Sequence, residues 1–262
     1  MISVKWPKHV WSAIFVCATM LAGVAAASSA RASDVSSIPL AMHLPFDGDY
    51  TDDSGNGNDG QGHGKLAFVP GYAPPTGQAL KYSKNNSAVM VRPSSSLYLR
   101  TKLSVSLWFR PNATQNFSYA ALFYKAAENI DSGSVGFSDR SVALFWISGG
   151  IHAVYTFAGA TQQTICANDD FGLASDKWHN LVFTFDAGAG DAKVYVDDVL
   201  KKECSFTRGT KLRTGNKQLG IGTSINQQLS DTGNFLGLID SVRFYDGVLS
   251  ASDIDQIYTQ RQ

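Results

Sequence analysis

The stretch from Trp178 to Leu200, WHNLVFTFDAGAGDAKVYVDDVL, limits the possible folds more than any other part of the chain. Leu181, Phe183 and Phe185 recur at every second position, and Val194 and Val196 do so after a short Gly-Ala link. Successive side chains of a strand leave opposite faces, so this period describes half-buried strands. The link Ala187-Gly188-Ala189-Gly190-Asp191 is short enough to reverse the chain, which makes the pair a β-hairpin. Asp197-Asp198 offers a second tight turn, because Asp tolerates left-handed backbone angles better than most residues. Val199 and Leu200 then begin a further strand.

The same period recurs along the chain. Leu40, Met42, Leu44 and Phe46 form a first strand, and Leu103, Val105, Leu107 and Phe109 give another a clean apolar face. Shorter β-candidates lie around residues 65–69, 79–82, 88–91, 119–125, 135–137, 142–147, 151–157 and 218–222. Between the first strand and these, residues 46–64 are rich in Gly, Asn and Asp and read as loop. In Phe235–Tyr245, FLGLIDSVRFY, Leu236, Leu238, Asp240, Val242 and Phe244 share one parity, which puts an acid among four apolar residues. Val248–Tyr258 reads as a short helix, capped by Ser250 with Asp253 three residues on, and with Ile254, Ile257 and Tyr258 on its apolar face. Many short strands with Gly-rich turns make an all-β, two-sheet antiparallel β-sandwich with a short C-terminal helix.

Four segments together resemble the laminin-G-like jelly-roll domains of the concanavalin A-like lectin/glucanase superfamily. They are FDG followed by DDSGNGNDG (residues 46–60), SVSLWFRP (104–111), WHNLVFTFD with AKVYVDDVL (178–200), and GLIDSVRFY with LSASDI (237–254). The resemblance spans roughly residues 40–258. It departs from the family at Asp198, where Gly is usual.

The N-terminus reads as a targeting segment. Lys5 and Lys8 precede a mainly apolar run, Val10–Ala22, too short to span a bilayer comfortably, and Ala30-Arg31-Ala32 matches a signal-peptidase pattern. Residues 1–32 are therefore expected to be removed, with cleavage after Ala27 as the rival, leaving residues 33–262 as one domain without a membrane span. The full chain has 22 basic and 22 acidic residues, so its balance shows no nucleic-acid footprint. Cys166 and Cys204 flank the central hairpin. In an exported chain they are expected to pair as a disulfide, against the alternative of two buried thiols.

Asp47, Asp49, Asp52, Asp53, Asn56, Asn58 and Asp59 crowd the loop after the first strand. Ca²⁺ takes several oxygen ligands from carboxylates, amides and loop carbonyls. The spacing is not that of an EF-hand. The resemblance implies a structural Ca²⁺ held by Asp47, Asn56 and Asp240, and Asp53 completes the expected metal set. Asp53 can instead orient the loop by bonding Gly and Asn amides, and Asp240 can instead pin Arg243 or backbone amides.

Catalytic motifs are missing. The chain has two Glu, Glu128 and Glu203, and lacks the E-x-D-x-x-E strand of the superfamily's glucanases. Its five histidines form no H-E-x-x-H, and it has neither a G-x-S-x-G elbow nor a P-loop. The chain is therefore expected not to be an enzyme, and to recognise a glycan or, alternatively, a cell-surface protein. A glycan-active hydrolase or lyase is the third possibility. Tyr119, Tyr124, Trp146, Tyr155, Phe157 and Phe171, with Asn168, Asp169 and Asp170, are candidates for a sugar platform. Core packing is the competing role for each ring, so no ligand-binding residue is fixed by the sequence.

Overall fold

The structure, a computed structural model, describes residue 1 and residues 37–72, 77–84, 86–115, 119–127, 140–224 and 233–259. Ser33–Gln262 form one compact unit and Met1–Ala32 another. Apart from Met1, the expected targeting segment lies outside the described residues, as do Glu128 and the strand expected at 135–137.

The strands are β1 (Leu40–Leu44), β2 (Gly60–His63), β3 (Leu66–Pro70), β4 (Gln78–Tyr82), β5 (Ala88–Val91), β6 (Lys102–Pro111), β7 (Ala120–Ala126) and β8 (Arg140–Ile147). They continue with β9 (Gly150–Tyr155), β10 (Thr164–Asp170), β11 (His179–Asp186), β12 (Asp191–Val196), β13 (Val199–Ser205), β14 (Leu219–Ile221) and β15 (Gly237–Tyr245). The helix α1 (Ala251–Thr259) follows. Sheet I runs β13-β12-β11-β6-β15-β4-β3, with β1 also on β15, and sheet II runs β10-β9-β8-β7-β14-β5-β2. Each pairing between these strands is antiparallel.

The two sheets share one core. Leu103, Val105, Leu107 and Phe109 of β6 meet Leu181, Phe183 and Phe185 of β11 in register, and all are buried. Trp146 and Tyr155 face them from sheet II, with Phe109–Trp146 and Tyr155–Phe183 ring centroids 5.9 and 6.2 Å apart. The hairpin turns as the sequence implies. Asp197 and Asp198 both take positive φ, at 51° and 63°, which is the twist a two-residue link between right-handed strands requires.

The last strand corrects the parity expected of it. The β15–β6 register shifts between Asp240 and Arg243, and Ser241 has a φ of 50°. This bulge inserts one residue, so Ile239 faces the core before it and Val242 and Phe244 face the core after it. Asp240 therefore lies on the opposite face from Val242 and Phe244, on the outside of sheet I. That outside is not open to water everywhere. The helix α1 lays Ile254 and Ile257 over Val182, Tyr245 and Leu249. Ser250 and Asp253 exchange the bonds of a capping box, as expected: Ser250 N–H donates to Asp253 Oδ2 at 2.8 Å and Asp253 N–H to Ser250 Oγ at 3.2 Å.

Two strands were not foreseen. Gly60–His63 pairs with β5 from inside the expected loop, and Thr164–Asp170 pairs with β9 although its sequence, TICANDD, is too polar to show a strand period. Cys166 on β10 and Cys204 on β13 form a disulfide with Cα atoms 5.6 Å apart, which joins sheet II to the edge of sheet I. No helix among the described residues is long and apolar enough to cross a membrane.

Closing a loop with a sequence separation of 38 residues contributes about 4 kcal/mol in the chain-entropy model. The double variant Cys166→Ser/Cys204→Ser is therefore expected to melt about 10 °C below the oxidised protein. Reduced wild type should match it, and calorimetry with and without reductant checks both.

Candidate functional site

The outside of sheet II carries a cavity of about 350 Å³, within the range of small-ligand sites. Its floor comes from register. Ala121, Phe145, His152 and Asn168 stand opposite one another across β7, β8, β9 and β10. Directly paired residues share a face, so these side chains form one outward row. A second row runs Tyr124, Ala143, Val154 and Ile165. From these rows Phe145, His152, Asn168 and Ile165 line the hollow. Register shifts at Ala121/Phe123 and Ile165/Ala167 hold these rows outward while Leu122, Phe123, Cys166 and Ala167 turn into the core.

Polar groups ring this floor. His152 Nδ1 lies 2.9 Å from Asn168 Oδ1. Burial lowers the pKa of His152, the Asn168 bond opposes that, and the nearby charge of Arg140 lowers it further. The imidazole is thus held neutral: Nδ1–H donates to the amide oxygen and Nε2 is left as an acceptor. The Arg140 guanidinium sits 5.3 Å from the ring centroids of both Tyr124 and Phe145. Tyr119 stands at the rim, 45% exposed, with its ring edge-on to His152 at 4.8 Å. Nearby, buried Lys125 donates from Nζ to the carbonyls of Ala126, Gly215 and Lys217, which ties the 213–218 loop to β7. Burial pushes its pKa down to about 8.

The structure sorts the aromatic candidates. Tyr119 is on the cavity rim and Tyr124 packs beneath it, while Trp146 and Tyr155 are in the shared core at 1% exposure. Phe157 and Phe171 pack against that core. Of the three polar candidates only Asn168 lines the cavity. Asp169 pairs with Lys202 at 3.3 Å, and Asp170 Oδ1 accepts from Gly172 N–H. Phe145, His152 and Arg140 escaped the sequence reading. For Phe145 the signal was the unbroken apolar run Val142–Ile147, which marks a strand covered on both faces; Arg140 and His152 lie outside that run.

The acidic loop sits beside sheet I and divides in two. Asp47 Oδ1 accepts from Gln78 N–H at 2.6 Å. Asp240, fully buried, accepts from Tyr72 N–H at 3.3 Å through Oδ2. A Cβ placed on Gly71 would lie 2.8 Å from that Oδ2 and 2.9 Å from the Gln78 carbonyl oxygen, so only Gly fits there. Asp47 and Asp240 therefore approach the two legs of one loop, between β3 and β4. Two carboxylates and a backbone carbonyl are hard oxygen donors of the kind Ca²⁺ takes. Asp53 and Asn56 have other partners. Asp53 Oδ1 is 2.6 Å from His43 Nδ1, and the Asn56 amide donates to the carbonyls of Leu40 and Ala41. No group of three or more His, Cys, Asp or Glu among the described residues is gathered to hold a metal ion.

The loop-orienting role open to Asp53 is filled by its neighbour Asp52. That buried carboxylate accepts from the backbone N–H of His43, Ser54 and Asn58 and from Ser54 Oγ. On the central hairpin, His179 Nδ1 lies 2.8 Å from Asp197 Oδ2 and Nε2 lies 3.0 Å from the Ala174 carbonyl. Both nitrogens face acceptors, so the ring is built to be protonated. Burial lowers its pKa, but the bonds to Asp197 and Ala174 prevail and the net shift is upward. Above the same sheet Tyr72 stacks on Trp108 at 3.9 Å, and Tyr258 of α1 stacks on it at 5.6 Å.

A family model for the concanavalin A-like lectin/glucanases superfamily, of laminin-G type, matches residues 83–255. No curated protein matches the chain by sequence. Among solved structures, domain 4 of the extracellular arabinanase AbnA from Geobacillus stearothermophilus, in complex with arabinotriose, is similar with a TM-score of 0.62 and 22% identity. The match covers 86% of this chain and 99% of that one. The botulinum neurotoxin serotype D ligand-binding domain, in complex with N-acetylneuraminic acid, matches with a TM-score of 0.66 and 15% identity over 87% of this chain. The binding domain of Paraclostridial Mosquitocidal Protein 1 matches at 0.61 and 16%, over 85% of this chain. The chain spans 53% and 52% of these two toxin domains. At these identities the likeness is one of fold.

His179 makes stability depend on pH. Its raised pKa means that its contribution is complete below the unfolded value of 6.5 and is lost as pH rises through the folded value. His179→Gln should therefore cost about 2 kcal/mol near pH 5.5 and clearly less near pH 9. Denaturant melts of variant and wild type at each pH, taken as differences, cancel the opposite titration of His152.

Proposed function

We propose, from the premise that the chain belongs to the laminin-G branch of the concanavalin A-like lectin/glucanases superfamily, that it is a non-catalytic carbohydrate-recognition domain. The observation that carries this reading is the cavity on the outside of sheet II. There an exposed Tyr119 ring, a neutral His152 and the Asn168 amide converge on an apolar floor. A sugar offers hydroxyls that both donate and accept, and C–H faces that lie on rings. Nε2 of His152 accepts, the Asn168 amide nitrogen donates, and Tyr119 supplies the ring. The arabinotriose and N-acetylneuraminic acid held by two of the fold's neighbours support a glycan as ligand. No Asp or Glu among the described residues lines the cavity, which supports binding without the paired carboxylates that glycoside hydrolysis uses.

We assign a structural Ca²⁺ to the β3–β4 loop, held by Asp47, Asp240 and the Gln78 carbonyl, where it would fix Tyr72 over Trp108. The domain is assigned to an exported location, in keeping with its disulfide and with the apolar run Val10–Ala22 that follows Lys5 and Lys8.

In a glycan array followed by calorimetry, Tyr119→Ala should weaken binding of the best neutral ligand about tenfold, the loss of one stacked ring. Unchanged affinity would remove the sheet II cavity as the site. Chelation should lower the melting temperature by about 5 °C, and Asp240→Asn should melt lower and no longer respond to chelator. A chelator-insensitive wild type would remove the metal and leave the glycan reading standing.

A further inference from the structure

The outside of sheet I carries a second, larger groove of about 840 Å³. Ala67, Lys81, Leu238 and Arg110 occupy one register row across β3, β4, β15 and β6. Neighbouring strands lie about 4.8 Å apart, so Lys81 and Arg110 rise from the same surface about 10 Å from one another. Half-buried Leu238 forms the floor between them. Lys65, two residues before Ala67, adds a third cation to this face and, like Lys81, is exposed. Asp176 is the one carboxylate among the described lining residues. None of the three cations forms an ion pair with a described residue. Lys102, Lys193 and Lys202, by contrast, are paired, with Asp186, with Asp191 and Glu203, and with Asp169.

The formal charge of the whole chain is zero, so an anion drawn here answers to local clustering and not to net charge. Asn112 and Thr114 at one end offer an amide and a hydroxyl. The only aromatic among the described lining residues, Tyr82, is 1% exposed. Among the described residues nothing therefore presents a ring for a nucleobase to stack on, as single-stranded nucleic acid sites do. Cations at this spacing over an apolar floor with polar ends suit an extended sugar chain whose alternate units carry an anionic group. We infer that this groove is a second binding site, for an anionic polysaccharide bearing sulfate or carboxylate groups. It is separate from the sheet II cavity and does not depend on it.

The probes are dextran sulfate, polygalacturonate and uncharged dextran, each titrated against the full domain at low and high salt. Binding to at least one polyanion, weakening with salt, and none to dextran is expected. The stronger of the two arms identifies sulfate or carboxylate as the recognised group. Lys81→Glu/Arg110→Glu should weaken it about tenfold or more. Arg208→Glu/Lys211→Glu, which changes net charge equally at exposed residues outside the groove, should leave it within about twofold. If the reversal lowers the melting temperature, Lys81→Gln/Arg110→Gln should still weaken binding while Arg208→Gln/Lys211→Gln does not. Equal losses from both pairs, no polyanion binding, or tighter binding of a single-stranded oligonucleotide would overturn the assignment. Tyr119→Ala should leave polyanion affinity unchanged, so failure of either site is read separately.

Discussion

Each strand of a sandwich has two faces, and only one of them can join the interior that the two sheets share. Here the inner faces of β6, β11 and β15 meet those of β8 and β9, and rings such as Phe109, Trp146, Tyr155 and Phe183 fill the space between. Burying that much apolar surface is the main drive to fold. It also dictates what remains: any residue of the opposite parity stands on an outer face. Both candidate surfaces, the hollow on sheet II and the groove on sheet I, are built from such residues.

Interruptions of the strand period decide which outer residues matter. At Ser241 one extra residue turns Asp240 away from the core and beneath the β3–β4 loop. Between Ala121 and Phe123 a similar shift sends two neighbours, Leu122 and Phe123, inward and keeps Tyr124 outside. Bulges of this kind re-aim side chains without breaking the sheet. The covers are then laid on from above. The helix α1 and the Tyr72–Trp108–Tyr258 stack close part of sheet I and leave its basic end open. Asp52, with four bonds to the chain around it, holds the loop that leads from β1 to β2.

Much of the fold was legible because alternation is a local signal. The hairpin from Trp178, the strand of Leu103–Phe109, the Asp197-Asp198 turn and the Ser250 cap could each be read within a dozen residues. The polar strand β10 could not, since its place depends on pairing with β9 and on the bridge from Cys166 to Cys204. The order of residues puts Asp240 on one parity with Val242 and Phe244, because a bulge leaves no mark in it. The sites were less legible for the same reason. Tyr119, His152 and Asn168 are far apart in sequence and meet through the β7–β8–β9–β10 register. The loop that Asp47 and Asp240 share belongs to neither of their neighbourhoods. A ring at Trp146 and a ring at Tyr124 look alike in sequence, and only the register sends one inward and the other out.

The central claim is that the outward row of sheet II, and not the shared core or the acidic loop, receives the neutral sugar. Backbone amide shifts of the labelled domain, followed during titration with a neutral oligosaccharide, test it most directly. Changes should centre on Tyr119, Phe145, His152 and Asn168 and leave Asp47, Lys81 and Leu238 still. Changes gathered on sheet I with the sheet II row unmoved would contradict it.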